Sequence, residues 1–193
     1  MNVFVLSTGR CGSKTFAAAC AHLPGWTAGH ETRAHLQGPE RLAYPEQHIE
    51  VDNRLAWFLG QLGERYDSRD TLYVHLVRDA ADTATSLCAW SLPTPERPHA
   101  NPASILRAFA HGLTLRTTQH DQAGYERAAR AYVDSVQANV REFLRHRPKQ
   151  SMSVVMGHEG SFARFLDRIG AEGDCRSAAL AEWAVRHNAR AAA

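Results

Sequence analysis

Short apolar runs alternate with longer segments of helical spacing along most of the chain. Residues 3–7, 26–28, 48–51, 72–77 and 153–156 are the apolar runs, and each is too short for a helix. Runs of this length that end in turn residues are typical of strands buried on both faces of a parallel sheet. The pattern therefore predicts about five parallel strands.

The segments between and after these strands are predicted to be helical. They are residues 13–21, 55–62, 81–90, 103–118, 125–146, 162–170 and 176–190. Strands that alternate with helices favour a parallel sheet covered on both sides. We expect a three-layer α/β fold with a central parallel sheet flanked by helices. No repeat or linker divides the chain, so residues 1–193 are predicted to form one domain.

Residues 91–102 contain four prolines and are not predicted to form a helix or a strand. Proline-rich connections of this kind lie on the surface and often carry functional residues. We expect this segment to be a loop and a candidate lid over a binding site.

Composition and charge exclude some classes of function. The 22 Lys and Arg residues nearly balance 20 Asp and Glu residues, so no broad basic surface for nucleic acid is expected. Charged residues interrupt every apolar run before the roughly 20 residues that a membrane span requires. The N-terminus has no basic segment of the signal-peptide type, and we expect a cytoplasmic protein.

The metal-ligating residue types are scattered. Cys11, Cys20, Cys88 and Cys175 form no CxxC pair, and the 11 histidines form no HExxH motif. We therefore expect reduced thiols and no metal site.

The segment STGRCGSKTF, residues 7–16, joins the first strand to the first helix. It combines two glycines with hydroxyl side chains and the cations of Arg10 and Lys14. Glycines let backbone N–H groups approach an anion, and a helix N-terminus adds free donors and partial positive charge. This segment predicts a phosphate-binding loop, whereas the plainer alternative is a tight turn with incidental basic residues.

The loop differs from a Walker A motif. That motif requires glycine immediately before the lysine and another glycine five residues earlier, where this chain has Ser13 and Thr8. Residues Arg10 to Ser13 instead match the pattern [RK]xG[ST]. In this the chain resembles the family of sulfotransferases that use 3′-phosphoadenosine 5′-phosphosulfate (PAPS).

The resemblance implies a P-loop NTPase-like fold and transfer of a sulfuryl group from PAPS to an acceptor hydroxyl or amine, without a metal, leaving PAP. The residues that it assigns to the 5′-phosphosulfate are Arg10, Cys11, Gly12, Ser13, Lys14 and Thr15. Lys14 and Arg10 would stabilise the charge that develops on the departing PAP.

A second motif supports the resemblance. In the family a strand ends in Arg, and a Ser about eight residues later joins it in binding the 3′-phosphate, which corresponds here to Arg78 and Ser86. The alternative is that Arg78 and Asp79 only cap the following helix. The resemblance covers residues 1–90 well, and 158–170 is similar to a stretch of bacterial members.

The general base is expected directly after the second strand. The family uses His or Glu for this step, and the sequence GHE offers His30 and Glu31 where an acceptor would lie. Glu31 is favoured by the resemblance, whereas His30 has the more suitable ordinary pKa. An exposed polar loop is the alternative for this pair.

Two further segments have basic or polar residues whose roles stay open. Residues 52–54, Asp-Asn-Arg, can contact the acceptor or simply cap a helix. Residues 186–188, Arg-His-Asn, can cover the 3′-phosphate, although the RKG-type loop common in the family is missing.

Two other functions fit the same loop. A kinase or nucleotide hydrolase that uses ATP and Mg²⁺ would explain Lys14 and Thr15, and a non-catalytic nucleotide sensor would need no base. For the sulfotransferase, the acceptor is expected to be a small molecule or carbohydrate held between residues 29–54 and 91–102. The oligomeric state is open.

Overall fold

Five parallel strands form the centre of the molecule in the computed structural model, which describes residues 1–95, 98–185 and 187. They are β1 Asn2–Leu6, β2 Thr27–His30, β3 His48–Val51, β4 Thr71–Val77 and β5 Ser151–Val155. Their order in the sheet is β2-β3-β1-β4-β5, and every neighbouring pair is parallel. The predicted α/β fold with a parallel sheet of about five strands is confirmed.

Alternate residues of each central strand face two separate apolar layers. In β1, Val3 and Val5 contact one layer, while Phe4 and Leu6 contact the other. All residues of β1 are buried, as expected for a strand covered on both faces.

Helices cover both faces of the sheet. They are α1 Ser13–Cys20, α2 Leu59–Arg65, α3 Ala80–Ser91, α4 Ile105–Ala108, α5 Gln122–Arg145, α6 Glu159–Arg168 and α7 Gly173–Trp183. Helices α1, α6 and α7 share one layer, in which Phe16, Phe162 and Trp183 are in ring contact. Helices α2 to α5 pack on the opposite face of the sheet.

The helix predicted over residues 103–118 is wrong in its extent. Only α4 is regular, and a π-helical turn, Phe109–Leu113, follows it and ends the helical run. The backbone kinks at His111 and Gly112, where a glycine lowers the cost of leaving helical geometry. The helix predicted over 55–62 is likewise divided, at Phe58, into a 3-10 helix and α2.

The longest described helix, α5, carries charged residues on its outer face. Among the helices of the described residues, none is long and apolar enough to cross a bilayer.

Candidate functional site

The carboxyl ends of β1, β3 and β4 lie side by side at one end of the sheet, and the region directly beyond them is called the crevice below. After β1 the chain enters α1 on one face, whereas α3 follows β4 onto the other face. Crevices where connections leave to opposite faces are the usual ligand sites of parallel α/β sheets. The loop of residues 7–12, the first part of the segment 7–16 that is predicted to bind phosphate, lies at this position.

The backbone of this loop passes through left-handed conformations. Gly9, Arg10 and Gly12 have φ angles of 76°, 56° and 90°. A Cβ atom on Gly12 would lie 2.2 Å from Sδ of Met156, so both conformation and space require glycine there. Left-handed residues next to right-handed ones turn backbone N–H groups towards one point, which is the form of an anion-binding nest.

Arg10 joins the loop to α3. Its Nε donates to Oγ of Ser86 at 3.2 Å, and its guanidinium lies 5.1 Å from the ring centre of Trp90. The carbonyl oxygen of Arg10 accepts a hydrogen bond of 3.2 Å from Nη1 of Arg78. The structure therefore brings together Arg10, Arg78 and Ser86, which are far apart in sequence.

Arg78 follows β4 and begins the connection to α3. Its Nη2 lies 3.5 Å from Oδ2 of Asp82, an ion pair on the solvent side of the helix. Asp79, in contrast, accepts a hydrogen bond from the backbone N of Asp82 at 2.9 Å and caps α3. Asp79 therefore caps α3, whereas the Arg78 side chain donates to the carbonyl of Arg10 in the loop.

The remaining loop residues differ in what they present to the crevice. Lys14 is exposed, whereas Cys11 is buried in the apolar layer beneath α1, and burial raises the pKa of its thiol. The Thr15 hydroxyl donates to the carbonyl of Val185 and accepts from the backbone N of His187, both at 3.4 Å. The side chains of Cys11 and Thr15 thus face protein neighbours, and Cys11 can contribute only backbone groups to a ligand.

His30 is in direct contact with the loop. Its Nε2 lies 2.9 Å from Oγ of Ser13, the first residue of α1. Burial lowers the pKa of His30 below its ordinary value, and Lys14 acts in the same direction, while Glu31 opposes them. The imidazole is therefore neutral near pH 7, which is the form that accepts a proton.

Glu31 lies beside His30 in a strained turn. Its φ is 56°, a left-handed value that is uncommon for residues other than glycine. Its Oε2 lies 2.6 Å from Nη1 of Arg54, and its Oε1 lies 4.0 Å from Nε2 of His30. Non-glycine residues in this conformation cluster at functional sites, and Arg10 and Glu31 both border the crevice.

Of residues 52–54, Asp52 has the capping role that the sequence offered as the alternative. Asp52 is fully buried, accepts from the backbone N of Arg54 at 2.8 Å, and pairs with Arg41 at 2.5 Å. Asn53 is buried beneath Gly9. Of the three residues expected near an acceptor, only Arg54 is partly exposed, and it pairs with Glu31.

Glu50 and Thr32, which were not predicted as site residues, support the turn that contains His30 and Glu31. Glu50 is fully buried in β3, and it accepts hydrogen bonds from the backbone N and hydroxyl of Thr32 at 2.8 and 2.5 Å. The signal was the alternation His-Ile-Glu-Val-Asp in residues 48–52, because polar residues at every second position of a buried strand must have partners.

The proline-rich segment is closed at its base and borders a cavity. Oγ of Ser91 lies 2.5 Å from Oγ of Ser104, which joins the two ends of the segment. A cavity of about 440 Å³ lies between α3, α5 and residues 92–94. Residues 29–54, the other wall predicted for the acceptor, do not line this cavity.

The predicted late basic segment is described only in part. His187 contacts the start of α1 through its backbone and lies 2.5 Å from Oε1 of Glu182 through Nε2. Arg186 and Asn188 lie outside the described residues.

No cluster of three or more His, Cys, Asp or Glu side chains in the described part of the chain is arranged to hold a metal ion. Comparisons with protein-family models, curated proteins and solved structures find no match for this chain. The function is therefore inferred from the site itself and from the motif resemblance.

Proposed function

We propose that the chain is a sulfotransferase that moves the sulfuryl group of PAPS to a hydroxyl or amine of a small molecule or carbohydrate, giving PAP. The observation that carries the proposal is the contact of Arg10 with both Ser86 and Arg78. These residues come from the two motifs that resemble the family, and they meet at the crevice where a nucleotide would bind.

The loop and the two arginines suit a ligand that carries phosphates at both ends. The backbone nest before α1 and the exposed Lys14 would bind the 5′-phosphosulfate. Arg78 and Ser86 would bind the 3′-phosphate, since guanidinium groups form charge-assisted hydrogen bonds to phosphate oxygens. Arg10 lies between the two and would stabilise charge on the bridging oxygen.

The transfer step needs an in-line acceptor and a base. A lone pair of the acceptor forms a bond to sulfur while the bond from sulfur to the PAP phosphate oxygen breaks. The acceptor proton passes to His30, and PAP leaves with the negative charge. We favour His30 over Glu31 as the base because the imidazole is neutral and contacts Ser13, whereas the Glu31 carboxylate pairs with Arg54.

Glu31 then has an electrostatic role. Its carboxylate lies 4.0 Å from the imidazole, and it stabilises the imidazolium that forms when His30 takes the proton. Arg54 fixes the direction of this carboxylate. Arg54, Glu31 and His30 therefore form a continuous series of contacts from solvent to the phosphate loop.

An ATP-dependent kinase or hydrolase is the less favoured function. It would require the Thr15 hydroxyl to reach a magnesium ion, but this hydroxyl is buried and bonded to residues 185 and 187. The strand next to the loop is also followed by Arg78, where an enzyme of that class usually has a metal-binding Asp.

Calorimetric titration with PAP in the presence of EDTA, and separately with ATP and Mg²⁺, tests the proposal. We expect PAP to bind without metal, and Arg78→Ala to weaken it by about tenfold or more, because a hydrogen bond to a charged group contributes about 1.5–3 kcal/mol. Preferential binding of ATP and Mg²⁺ would instead indicate a kinase or nucleotide hydrolase. PAP binding without turnover of PAPS over a panel of acceptors would make it a sensor.

A further inference from the structure

Glu50 is a buried carboxylate in the middle of the sheet. It is fully inaccessible to solvent, and three donors within hydrogen-bond distance surround it: the backbone N of Thr32 at 2.8 Å, the Thr32 hydroxyl at 2.5 Å and Nε2 of His48 at 2.9 Å. Burial of a carboxylate is costly unless such partners compensate for the lost water. The position of Glu50 is therefore tied to the positions of Thr32 and His48.

His48 extends this arrangement to the edge of the sheet. Its Nδ1 lies 2.8 Å from the hydroxyl of Thr27, and its ring stacks on Tyr44 with 5.4 Å between ring centres. Both nitrogens of the imidazole thus have partners. A fully bonded buried network of this kind fixes one geometry of the side chains that belong to it.

Thr32 transmits this geometry to the candidate base. It directly follows Glu31, whose backbone is left-handed and whose N–H donates to the carbonyl of Val51 at 3.2 Å. A Cβ atom on Gly29 would lie 2.1 Å from Cγ2 of Thr32, so the methyl group of Thr32 closes over the glycine. The turn of residues 29–32 is thus held to β3 at two points, the carbonyl of Val51 and the side chain of Glu50.

We propose that Glu50 is a positioning residue for the catalytic turn: its hydrogen bonds to Thr32 hold His30 against Ser13 and Glu31 against Arg54. The role given to His30 and Glu31 rests on the proposed sulfotransferase function. The positioning itself is a property of the fold and has its own readout.

Loss of the network would release the turn while leaving the contacts of Arg10 with Ser86 and Arg78 in place. In the described part of the chain, the side-chain hydrogen bonds of Arg78 and Ser86 run to Arg10, and none joins Arg78 or Ser86 to Glu50, Thr32 or His48. A displacement of the base by about 1 Å lowers a rate by up to about a hundredfold, because the proton and its acceptor must lie within hydrogen-bond reach. Binding of PAP would be unaffected.

Thr32→Val tests the proposal, with Thr32→Ser as its matched control. Valine has the shape of threonine but removes the hydroxyl that donates to Glu50, whereas serine keeps it. Glu50→Gln is the direct variant, but its effect on folding is expected to be larger because the site is fully buried. Thermal unfolding of each variant shows which of them are folded and can be compared.

Three measurements are made on the folded variants: the affinity for PAP, kcat and KM with PAPS, and the pKa of His30 by NMR titration of its ring protons. Glu31, Lys14, Asp52 and Glu50 are the charged groups that act on this imidazole. We expect Thr32→Val to lower kcat by about tenfold at unchanged PAP affinity, and to move the pKa of His30 towards its ordinary value as water reaches the ring. Thr32→Ser is expected to restore both.

If Thr32→Val and wild type agree in kcat and in the pKa of His30, Glu50 does not position the turn, whatever the fate of the proposed function. If wild type binds no PAP and turns over no PAPS, the proposed function is wrong. The positioning role of Glu50 is then tested only by comparing the pKa of His30 in Thr32→Val with that in wild type. Equal losses in Thr32→Val and Thr32→Ser would also overturn the proposal, because the hydroxyl would then be irrelevant.

Discussion

The two halves of the crevice are built from opposite kinds of group. On the side of β1 and β4, the left-handed loop meets two residues: the Arg10 side chain donates to the Ser86 hydroxyl, and the Arg10 carbonyl accepts from the Arg78 guanidinium. On the side of β2 and β3, buried or half-buried carboxylates predominate, and Glu31 and Asp52 each pair with an arginine. Donors for an anion are thus separated from groups that accept or stabilise a proton.

In the proposed sulfotransferase, this division would separate binding of the phosphates from deprotonation of the acceptor. An arginine beside the base would hold it in its unprotonated form but weaken it, and a carboxylate beside the phosphates would repel them. His30 lies at the boundary, with its ring against Ser13 and Glu31 on its far side. Substitutions on one side should therefore change binding, and substitutions on the other should change turnover.

The largest effect is expected at the base. We expect His30→Ala to lower kcat by about 10²- to 10⁴-fold, the usual contribution of a general base, with PAP affinity retained. The measurement is steady-state turnover of PAPS with an acceptor found by screening. His22→Ala is the matched control, since His22 lies outside the crevice, near Glu182 at 3.5 Å. Full turnover in His30→Ala would show that the base is elsewhere, with Glu31→Gln as the next variant.

The next effect concerns the backbone of the anion-binding half. Gly12→Ala is expected to destabilise the fold by about 1–3 kcal/mol, because it places a side chain in left-handed backbone and against Met156. PAP affinity should fall with it as the nest distorts. The measurement is urea unfolding together with PAP titration.

Gly60→Ala is the control for this substitution. Gly60 lies in α2, and a Cβ atom there meets no neighbour within 4 Å, so alanine should stabilise the helix by about 0.5–1 kcal/mol. Equal stability of Gly12→Ala and wild type would contradict the structure of the loop.

A smaller effect concerns the dependence of stability on pH. His75 in β4 is buried, and burial lowers its pKa to about 4 from an ordinary 6.5, with Arg141 acting in the same direction. As the pH falls, His75 is therefore protonated at a higher pH in the unfolded chain than in the folded one. The contribution of neutral His75 to the free energy of unfolding is complete above pH 6.5 and is lost as the pH falls towards 4. Between about pH 7 and about pH 5 the loss is about 2 kcal/mol.

Urea unfolding of His75→Gln measures this contribution. The free energy of unfolding of the variant should fall by about 2 kcal/mol less than that of wild type over the same pH interval. If His75→Gln and wild type had parallel pH dependence, the pKa of His75 would be the same in the folded and the unfolded chain.

The fold was largely predictable from sequence, because short apolar runs leave few alternatives to a buried parallel strand. Helix bounds were less predictable where the chain kinks for tertiary reasons, as at Gly112, since a single glycine does not identify a break. Ring contacts of Phe109 with Trp57 and Tyr132 accompany the irregular turn there.

The site was predictable only in part. Its position at the end of the second strand made His30 a candidate base, and the resemblance linked Arg78 to Ser86, but the contact of His30 with Ser13 was not predicted. The role of Arg10 as their common contact depends on approach of residues far apart in the chain, which local pattern does not encode. Glu50 was missed because an acidic residue inside a predicted strand indicates a network only once its partners, Thr32 and His48, are known.

The most direct test of this division is a calorimetric titration with PAP of two variants that remove the same charge from opposite sides, Arg10→Ala and Arg54→Ala. We expect Arg10→Ala to weaken PAP by about tenfold or more, and Arg54→Ala to bind PAP as wild type does while turning over PAPS more slowly. Equal losses of PAP affinity in both variants, or no loss in Arg10→Ala, would contradict the account.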